Sequence, residues 1–450
     1  MLISRRRAIV LLAGVGAAAC GPSAAAPTTT GTAPGSSPTS APAAAGSSAK
    51  SAPTAAGSTT LSYWYVAEDK PLIDGVSALV ASFEAANPDI KLQVEVFPFA
   101  QYFQKLTTAW AAGTGPDVAW IDVTVVAPYV EQGSIVPVED YMSDADKKDL
   151  DDFYSAPRAD MTYKGKVQTI ALHQSTENIV YHQDLVEAAG ITPPKSFEGS
   201  WTWEQFLDAA RRLTKRSGDV TDTWGFATHY TPSMYSAQPF VAQHGGTVIN
   251  PDGTFSGALN SPATVEAMSF YVGLFSKDKV APVERIPDMF QNKKVALYMA
   301  NPFVLRDIQA RFPNLKIGVT PTPKDKTNAV QSGGYHIGIP KTGKNPELAS
   351  KVVKWFTSVD GAKTWIDKTG YMPARKSTRA ALPWLNDAPW STFMEGLEKF
   401  AITRPQTVVY QRYDDTMTPA IKDMQLGKDV KSTLDEAAAK LDAELKKVTR

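Results

Sequence analysis

The sequence predicts an α/β protein whose first third folds as a doubly wound parallel sheet. Three observations carry the prediction. Leu61–Val66 reads as a strand, Ile90, Leu92, Val94 and Val96 alternate with polar residues, and Val118–Ile121 is a short buried apolar run. Helical faces separate these segments, at Leu72, Val76, Leu79, Val80 and Phe83 and again at Phe103, Leu106, Ala109 and Trp110, so the order is strand, helix, strand, helix, strand. A chain of 450 residues is also too long for one typical core and calls for two domains or lobes.

The elements follow in order. Met1–Arg7 carries Arg5, Arg6 and Arg7, and Ala8–Ala19 is small and apolar, the layout of a secretory signal too short to span a bilayer. Ala17-Ala18-Ala19-Cys20-Gly21 resembles a bacterial lipobox, in which the cysteine receives a diacylglyceryl group after export, with Ala17 where Leu is commonest. Ser4–Arg7 half resembles a twin-arginine signal, but Ala8 replaces the usual bulky residue, which leaves Sec export equally open. Cys20 is the single cysteine, so no intramolecular disulfide forms. Gly21–Thr60 is Ala, Pro, Ser, Thr and Gly with Lys50 as its only charge, and it cannot bury a core. As a coil it is a tether whose ends lie roughly 30–40 Å apart.

In the folded part, Asn87-Pro88 stops the first helix, and Gly113 and Gly115 with Pro116 stop the second. Asp122, Val123 and Thr124 emerge at the carboxyl end of the third strand, where open α/β sheets bind ligands, and the loop after the first strand brings Trp64, Tyr65 and Glu68 toward the same end. The competing assignment makes Trp120 core and Asp122 a helix cap. Tyr163–Val167 is a turn between short strands, Thr169–Gln174 runs on into Ile179–Tyr181, and Thr202 with Gln205 has capping-box spacing ahead of Phe206, Ala210 and Leu213. Gly245–Ile249 reads as a strand, Ala263–Phe275 as a helix, and Val295–Met299 as a strand opening onto Asn301-Pro302-Phe303. Ser332–Pro340 is a glycine-flanked crossing segment, helices follow at Pro346–Ser358 and Gly361–Thr369, and the tail carries Leu434, Ala438, Leu441 and Leu445 on one helical face.

Together, in order, Phe83–Pro88, Gly113–Val118, Pro193–Phe206, Trp224–Phe226, Gly245-Gly246, Lys294–Met299, Ser332–Pro340 and Gly370–Lys376 resemble the extracellular solute-binding proteins of carbohydrate ABC transporters, the group that includes maltose-binding protein. The resemblance covers essentially all of residues 61–450 and implies the two-lobe, type II periplasmic-binding-protein-like α/β fold, with the ligand held between lobes joined by crossing hinge segments. It places the crossings near Leu172–Ser175, Gln331–Gly334 and Tyr371–Ala374, lobe 1 at 61–171 plus 335–370, and lobe 2 at 175–330 plus 374–450. It implies ligand contacts from Trp64, Tyr65 and Glu68, from Trp120, Asp122 and Thr124, and from Gln174, Ser175 and Thr176 at the first crossing. It adds Ser233 and Tyr235 as an aromatic platform, Asn301 and Phe303 where relatives often stack a Trp, and Gly334, Tyr335, Tyr371 and Arg375 at the remaining crossings. Where maltose-binding relatives often hold a carboxylate, this chain has Ser175, with the acid two positions on at Glu177, which speaks against a maltose-type ligand. The implied partners are a carbohydrate, the permease subunits of an ABC transporter and, through Cys20, the outer face of a bacterial cytoplasmic membrane, with the chain itself monomeric.

The chemistry suits that ligand independently. Sugar hydroxyls need paired donors and acceptors, and sugar C–H faces suit flat rings, of which 10 Trp and 16 Tyr give a large supply. The 46 basic and 46 acidic residues cancel, so no whole-chain field draws the protein to nucleic acid. Five scattered histidines make no H-x-x-x-H, no G-x-S-x-G elbow or P-loop is present, and neither an enzyme nor a cofactor is indicated. The remaining alternatives are a binding protein for a peptide, polyamine or metal chelate, and a secreted glycoside hydrolase, whose paired carboxylates leave no fixed spacing. Among the named cleft residues only Glu68 and Asp122 are acidic and only Arg375 is basic, which favours a neutral polyol.

Overall fold

Two β-sheets divide the chain into lobes, and a computed structural model describes residues 58–448 of it. The leader, Cys20 and most of the tether lie outside the described residues. In the first sheet Thr59–Val66 runs between Ile90–Phe97 and Val118–Asp122, parallel to both, as the strand–helix alternation dictates. The helices between them are Lys70–Ala86, whose N-cap Asp69 accepts from the Leu72 amide, and Phe99–Ala111. The long strand Val330–Pro340 then lies antiparallel to Val118–Asp122 on one side and to Ile170–Thr176 on the other.

The second sheet has the order Ile317–Thr320, Asn178–His182, Val295–Ala300, Val220–Thr228, Lys215–Ser217. Its core includes Phe206, Phe226, Phe240, Met268 and Tyr271, and the C-terminal helices Tyr410–Gln425 and Val430–Val448 close it with Tyr413, Ile421, Leu434 and Leu441. The Thr202–Gln205 capping box forms as its spacing requires.

The chain changes sheets three times. It does so at Glu177, between strands ending at Thr176 and starting at Asn178, and again over 321–329, just ahead of the expected Gln331–Gly334. The third crossing differs from expectation by some thirty residues of chain. Tyr371–Ala374 stays in the first lobe: Met372 exchanges backbone hydrogen bonds with Gln174 at 2.8 and 3.0 Å, and Arg375 bridges to Phe153. Ala401–Ile402 still pairs with Val330–Gln331 of the first sheet, so the passage to the second lobe is 403–409, and residues 374–402 do not belong to the second lobe. The glycine just ahead of this segment serves a helix end. Gly370 ends the helix Val359–Thr369 with φ 76°, a left-handed cap that glycine adopts without strain. Gly245–Ile249 forms a turn and loop rather than a strand, because Gly245 takes φ 83° at the end of the helix Met234–Gln243.

Candidate ligand-binding cleft

The first lobe contributes a wall of rings supported from behind. Tyr63 and Tyr65 project from one face of the first strand, and Trp64 from the other, as the pleat demands. Tyr65 therefore reaches the cleft, packed edge-on against Trp365 at 5.6 Å between centroids. Trp120 lies 4.1 Å from Tyr335, its diagonal neighbour on the antiparallel strand, where Tyr335 is in register with Asp122, and Tyr371 stacks on His173 at 3.8 Å. Trp365 Nε1 donates to His173 Nδ1 at 3.0 Å, which puts the His173 proton on Nε2 and fixes the ring under Tyr371. Burial holds His173 well below its usual range, so it stays neutral.

The second lobe faces these rings with groups from its strand ends. His229 follows Val220–Thr228, and its Nδ1 lies 3.0 Å from the hydroxyl of Tyr298. Burial pushes His229 down to about 4 and Tyr298 up to about 12, leaving a neutral hydrogen-bonded pair. Asn301, which precedes the helix Pro302–Arg311, donates through Nδ2 to the Tyr230 hydroxyl at 2.7 Å. Phe303 crosses to the first lobe, 5.5 Å from Tyr371.

Between the walls lies a cavity of about 650 Å³, lined by Tyr65, Trp120, Tyr335 and Tyr371 on one side and by His229, Tyr230, Tyr298 and Phe303 on the other. Its ionic groups nearly balance. Glu68, Asp69, Asp288 and Asp307 meet Arg285, Arg306 and Arg311. Arg311 is paired with Asp307 at 3.1 Å and Asp288 at 3.5 Å, and Glu68 Oε1 accepts the Phe99 amide at 2.8 Å.

Beside the crossings a buried polar group joins the lobes. Arg404, on the third crossing, approaches Asp122 Oδ1 at 3.5 Å and lies 4.6 Å from the Tyr235 ring centroid. Asp122 also accepts from the Thr124 amide and hydroxyl, so it caps the following turn as well as facing the arginine. Gln174 Nε2 donates to Asp160 Oδ2 at 3.0 Å, and Ser236 Oγ to Glu177 Oε1 at 3.1 Å. Burial pushes Asp160 up to about 7 and Glu177 up to about 8, against the opposing pull of these bonds and of Arg404.

The structure thus brings Tyr65, Glu68, Trp120, Phe303, Tyr335 and Tyr371 to the cavity, and sets Asp122, Tyr235 and Asn301 beside it through Arg404 and Tyr230. Other expected residues are occupied elsewhere. Trp64 donates through Nε1 to Glu95 at 3.1 Å, and its ring packs on Phe97. Ser175 and Thr176 donate to the carbonyls of Gly333 and Phe393, Ser233 caps a helix through the Tyr235 amide, and Thr124 serves the turn with Asp122. Gly334 is buried strand backbone, pressed against Gln174 and the His173 carbonyl. Arg375 lies behind the ring wall. It donates to the Thr357 carbonyl at 2.6 Å, pairs with Asp149 and Asp152, and sits 4.1 Å from the Phe153 ring. Sequence reasoning missed Asp69, His229, Tyr230, Arg285, Tyr298, Arg306 and Arg404. His229-Tyr230 directly follows a strand of the second sheet, so the rule that ligands bind at the carboxyl ends of strands would have found that pair.

Two α/β lobes with three crossings and a ring-lined cavity between them define a two-lobe, type II periplasmic binding protein. The bacterial extracellular solute-binding protein family matches residues 56–363, and the chain belongs to that family, whose members serve ABC transporters. A putative binding protein of Brucella abortus is 28% identical over 403 residues, covering 85% of this chain and 92% of its own. The sn-glycerol-3-phosphate-binding periplasmic protein of Escherichia coli K12 is 26% identical over 341 residues, covering 71% and 75%. Among solved structures, a Listeria monocytogenes ABC substrate-binding protein in complex with cycloalternan is similar with a TM-score of 0.76 at 23% identity, covering 86% of this chain and 99% of that one. A Thermotoga lettingae solute-binding protein bound with α-D-tagatose gives 0.70 at 25% identity, covering 86% and 100%. No helix among the described residues is long and apolar enough to cross a membrane.

Proposed function

We propose that this chain captures a sugar or oligosaccharide between its lobes and delivers it to the permease of an ABC transporter, held to the outer face of the cytoplasmic membrane by a lipid on Cys20 and acting as a monomer without enzymatic activity. The observation that carries the reading is the cavity of about 650 Å³ whose facing walls combine flat rings with neutral hydrogen-bonding groups. Sugar C–H faces stack on Tyr65, Trp120, Tyr335, Tyr371 and Phe303, and hydroxyls find Tyr230, His229 and Tyr298. The similar structures that hold cycloalternan and tagatose support the same ligand class.

An anionic polyol is the second reading, favoured by three arginines in the lining and by the glycerol-phosphate-binding relative. Two of the three are committed, Arg311 to Asp307 and Asp288, and Arg306 to main-chain carbonyls. That leaves Arg285 with Glu68 and Asp69, the two lining carboxylates outside the Arg311 pairs, which favours a neutral ligand.

A thermal-shift panel on the full chain separates these readings, using mono-, di- and oligosaccharides, sn-glycerol 3-phosphate, peptides and polyamines. A ligand specific to the folded form adds about 2.7 kcal/mol of stability at a hundredfold excess over its dissociation constant. A rise with one sugar class supports the proposal. A rise only with glycerol phosphate, peptides or polyamines overturns the sugar assignment, and turnover of a glycoside would replace it with hydrolase activity.

A further inference from the structure

Arg306 ties the lobes together by hydrogen bonds made away from the crossings. Arg306 stands on the helix Pro302–Arg311, which continues from the second-sheet strand Val295–Ala300. Its Nη1 donates to the carbonyl oxygen of Ile366 at 3.3 Å and its Nη2 to that of Asp367 at 2.9 Å. Both acceptors lie in the last turn of Val359–Thr369, a first-lobe helix whose Trp365 packs on Tyr65.

The pairing is chemically apt. The last carbonyls of a helix carry partial negative charge, and a cation beside them is stabilised. The planar guanidinium offers parallel donors that reach two carbonyls at once, which an ammonium does not match. Gly370 makes the approach possible, since a Cβ at that position would run into Arg306 Cδ. The glycine therefore both turns the chain and leaves room for the arginine stem. Arg404 and Gln406, by contrast, link the lobes from within the third crossing, through Asp122 and the Ala159 carbonyl. Those links lie next to the pivot, where relative motion of the lobes is smallest.

We propose that Arg306 is a closure latch, a positioning residue whose paired bonds to the end of the facing helix form only when the lobes meet. It raises the closed fraction of the ligand-free chain and, through that fraction, the affinity for any ligand the cleft takes. The apparent dissociation constant scales inversely with the competent population, so a contact made only in the closed state strengthens binding without touching the ligand. The inference rests on hinge closure of a two-lobe binding protein and not on the identity of the sugar.

The test measures the distance between the lobes in solution. In the full chain with Cys20→Ser, spin labels go on cysteines replacing Ser77 and Lys277, exposed residues on opposite lobes, and pulsed dipolar spectroscopy reads the distribution with no ligand added. Arg306→Met is expected to lower the closed-to-open ratio about tenfold, the equivalent of one charge-assisted pair, with Arg306→Lys falling between. Identical distributions for wild type and Arg306→Met overturn the proposal. Loss of affinity for the sugar from the thermal-shift panel, with ligand-free distances unchanged, also overturns it and makes Arg306 a direct ligand contact. A shifted ligand-free distribution upholds the latch even where no sugar binds, so failure of the carbohydrate assignment is seen separately. Far-UV melting confirms that each variant is folded, and Arg306→Gln, which keeps a donor but no charge, is read in the same way should the methionine variant unfold.

Discussion

The two walls of the cleft are built on different physical terms. In the first lobe each ring is backed by another: Trp120 by Tyr335, Tyr102 and Phe103, Tyr65 by Trp365, and Tyr371 by His173. The wall is the surface of a core, and its shape is fixed by close packing. In the second lobe the cleft-facing groups are held in pairs, His229 with Tyr298 and Tyr230 with Asn301, by single hydrogen bonds. Such pairs position polar atoms while leaving side chains able to exchange a protein partner for a ligand hydroxyl. A packed platform of rings thus faces a surface of hydrogen-bonding pairs.

Substitutions can break or sharpen that contrast. Trp120→Ala removes a ring that serves core and wall together, and should cost about 3–5 kcal/mol in urea unfolding along with ligand affinity. A loss of affinity at full stability would show that the platform is not part of the core. Gly334→Ala should cost about 3 kcal/mol, at the upper end for overpacking, because the added carbon meets the neighbouring strand's backbone at His173. Arg375→Ala tests the ground behind the platform. It should lower stability by about 2 kcal/mol through lost charge-assisted bonds, while calorimetric affinity for whichever ligand the thermal-shift panel identifies stays unchanged.

The second-lobe wall predicts the opposite pattern. Tyr230→Phe should cost about 1 kcal/mol and appear mainly in ligand affinity, since only the bond from Asn301 and one ligand-facing hydroxyl are lost. The last change concerns pH. Glu177 keeps its proton up to about 8 in the fold, whereas in the unfolded chain it ionises near the ordinary glutamate value of 4.5. Between those values the unfolded state binds fewer protons, so this residue's contribution to stability falls as pH rises from 4.5 to 8 and levels off above. Glu177→Gln should therefore raise the melting temperature at pH 8, leave it unchanged near pH 4, and flatten the slope between. An equal gain at both pH values would place the effect in packing and not in the proton.

Some of the site was legible in the chain and some was not, for identifiable reasons. Tyr65, Trp120, Tyr335 and Tyr371 could be anticipated, because strand carboxyl ends and glycine-flanked turns leave a local pattern. Trp64 could not be separated from Tyr65 by residue type, and only the strand's alternation decides which of two adjacent rings faces the cleft. Arg375 and Arg404 show the same ambiguity for charge. The first follows a glycine turn that looks like a hinge yet stays behind the platform, and the second, thirty residues on, lies on the true crossing.

By itself the sequence determined what local periodicity and stereochemistry control: the parallel three-strand start, the helix caps at Thr202 and Asn87, the helix over Gly361–Thr369, and the existence of two lobes. Only the tertiary structure decided where the chain passes between them, that His229, Tyr298 and Arg306 face the first-lobe rings, and that Asp160 and Glu177 are buried beside Arg404. Those features depend on groups far apart in sequence sharing a low-dielectric space, and neither proximity nor burial of that kind is encoded in the spacing of residues along a single segment.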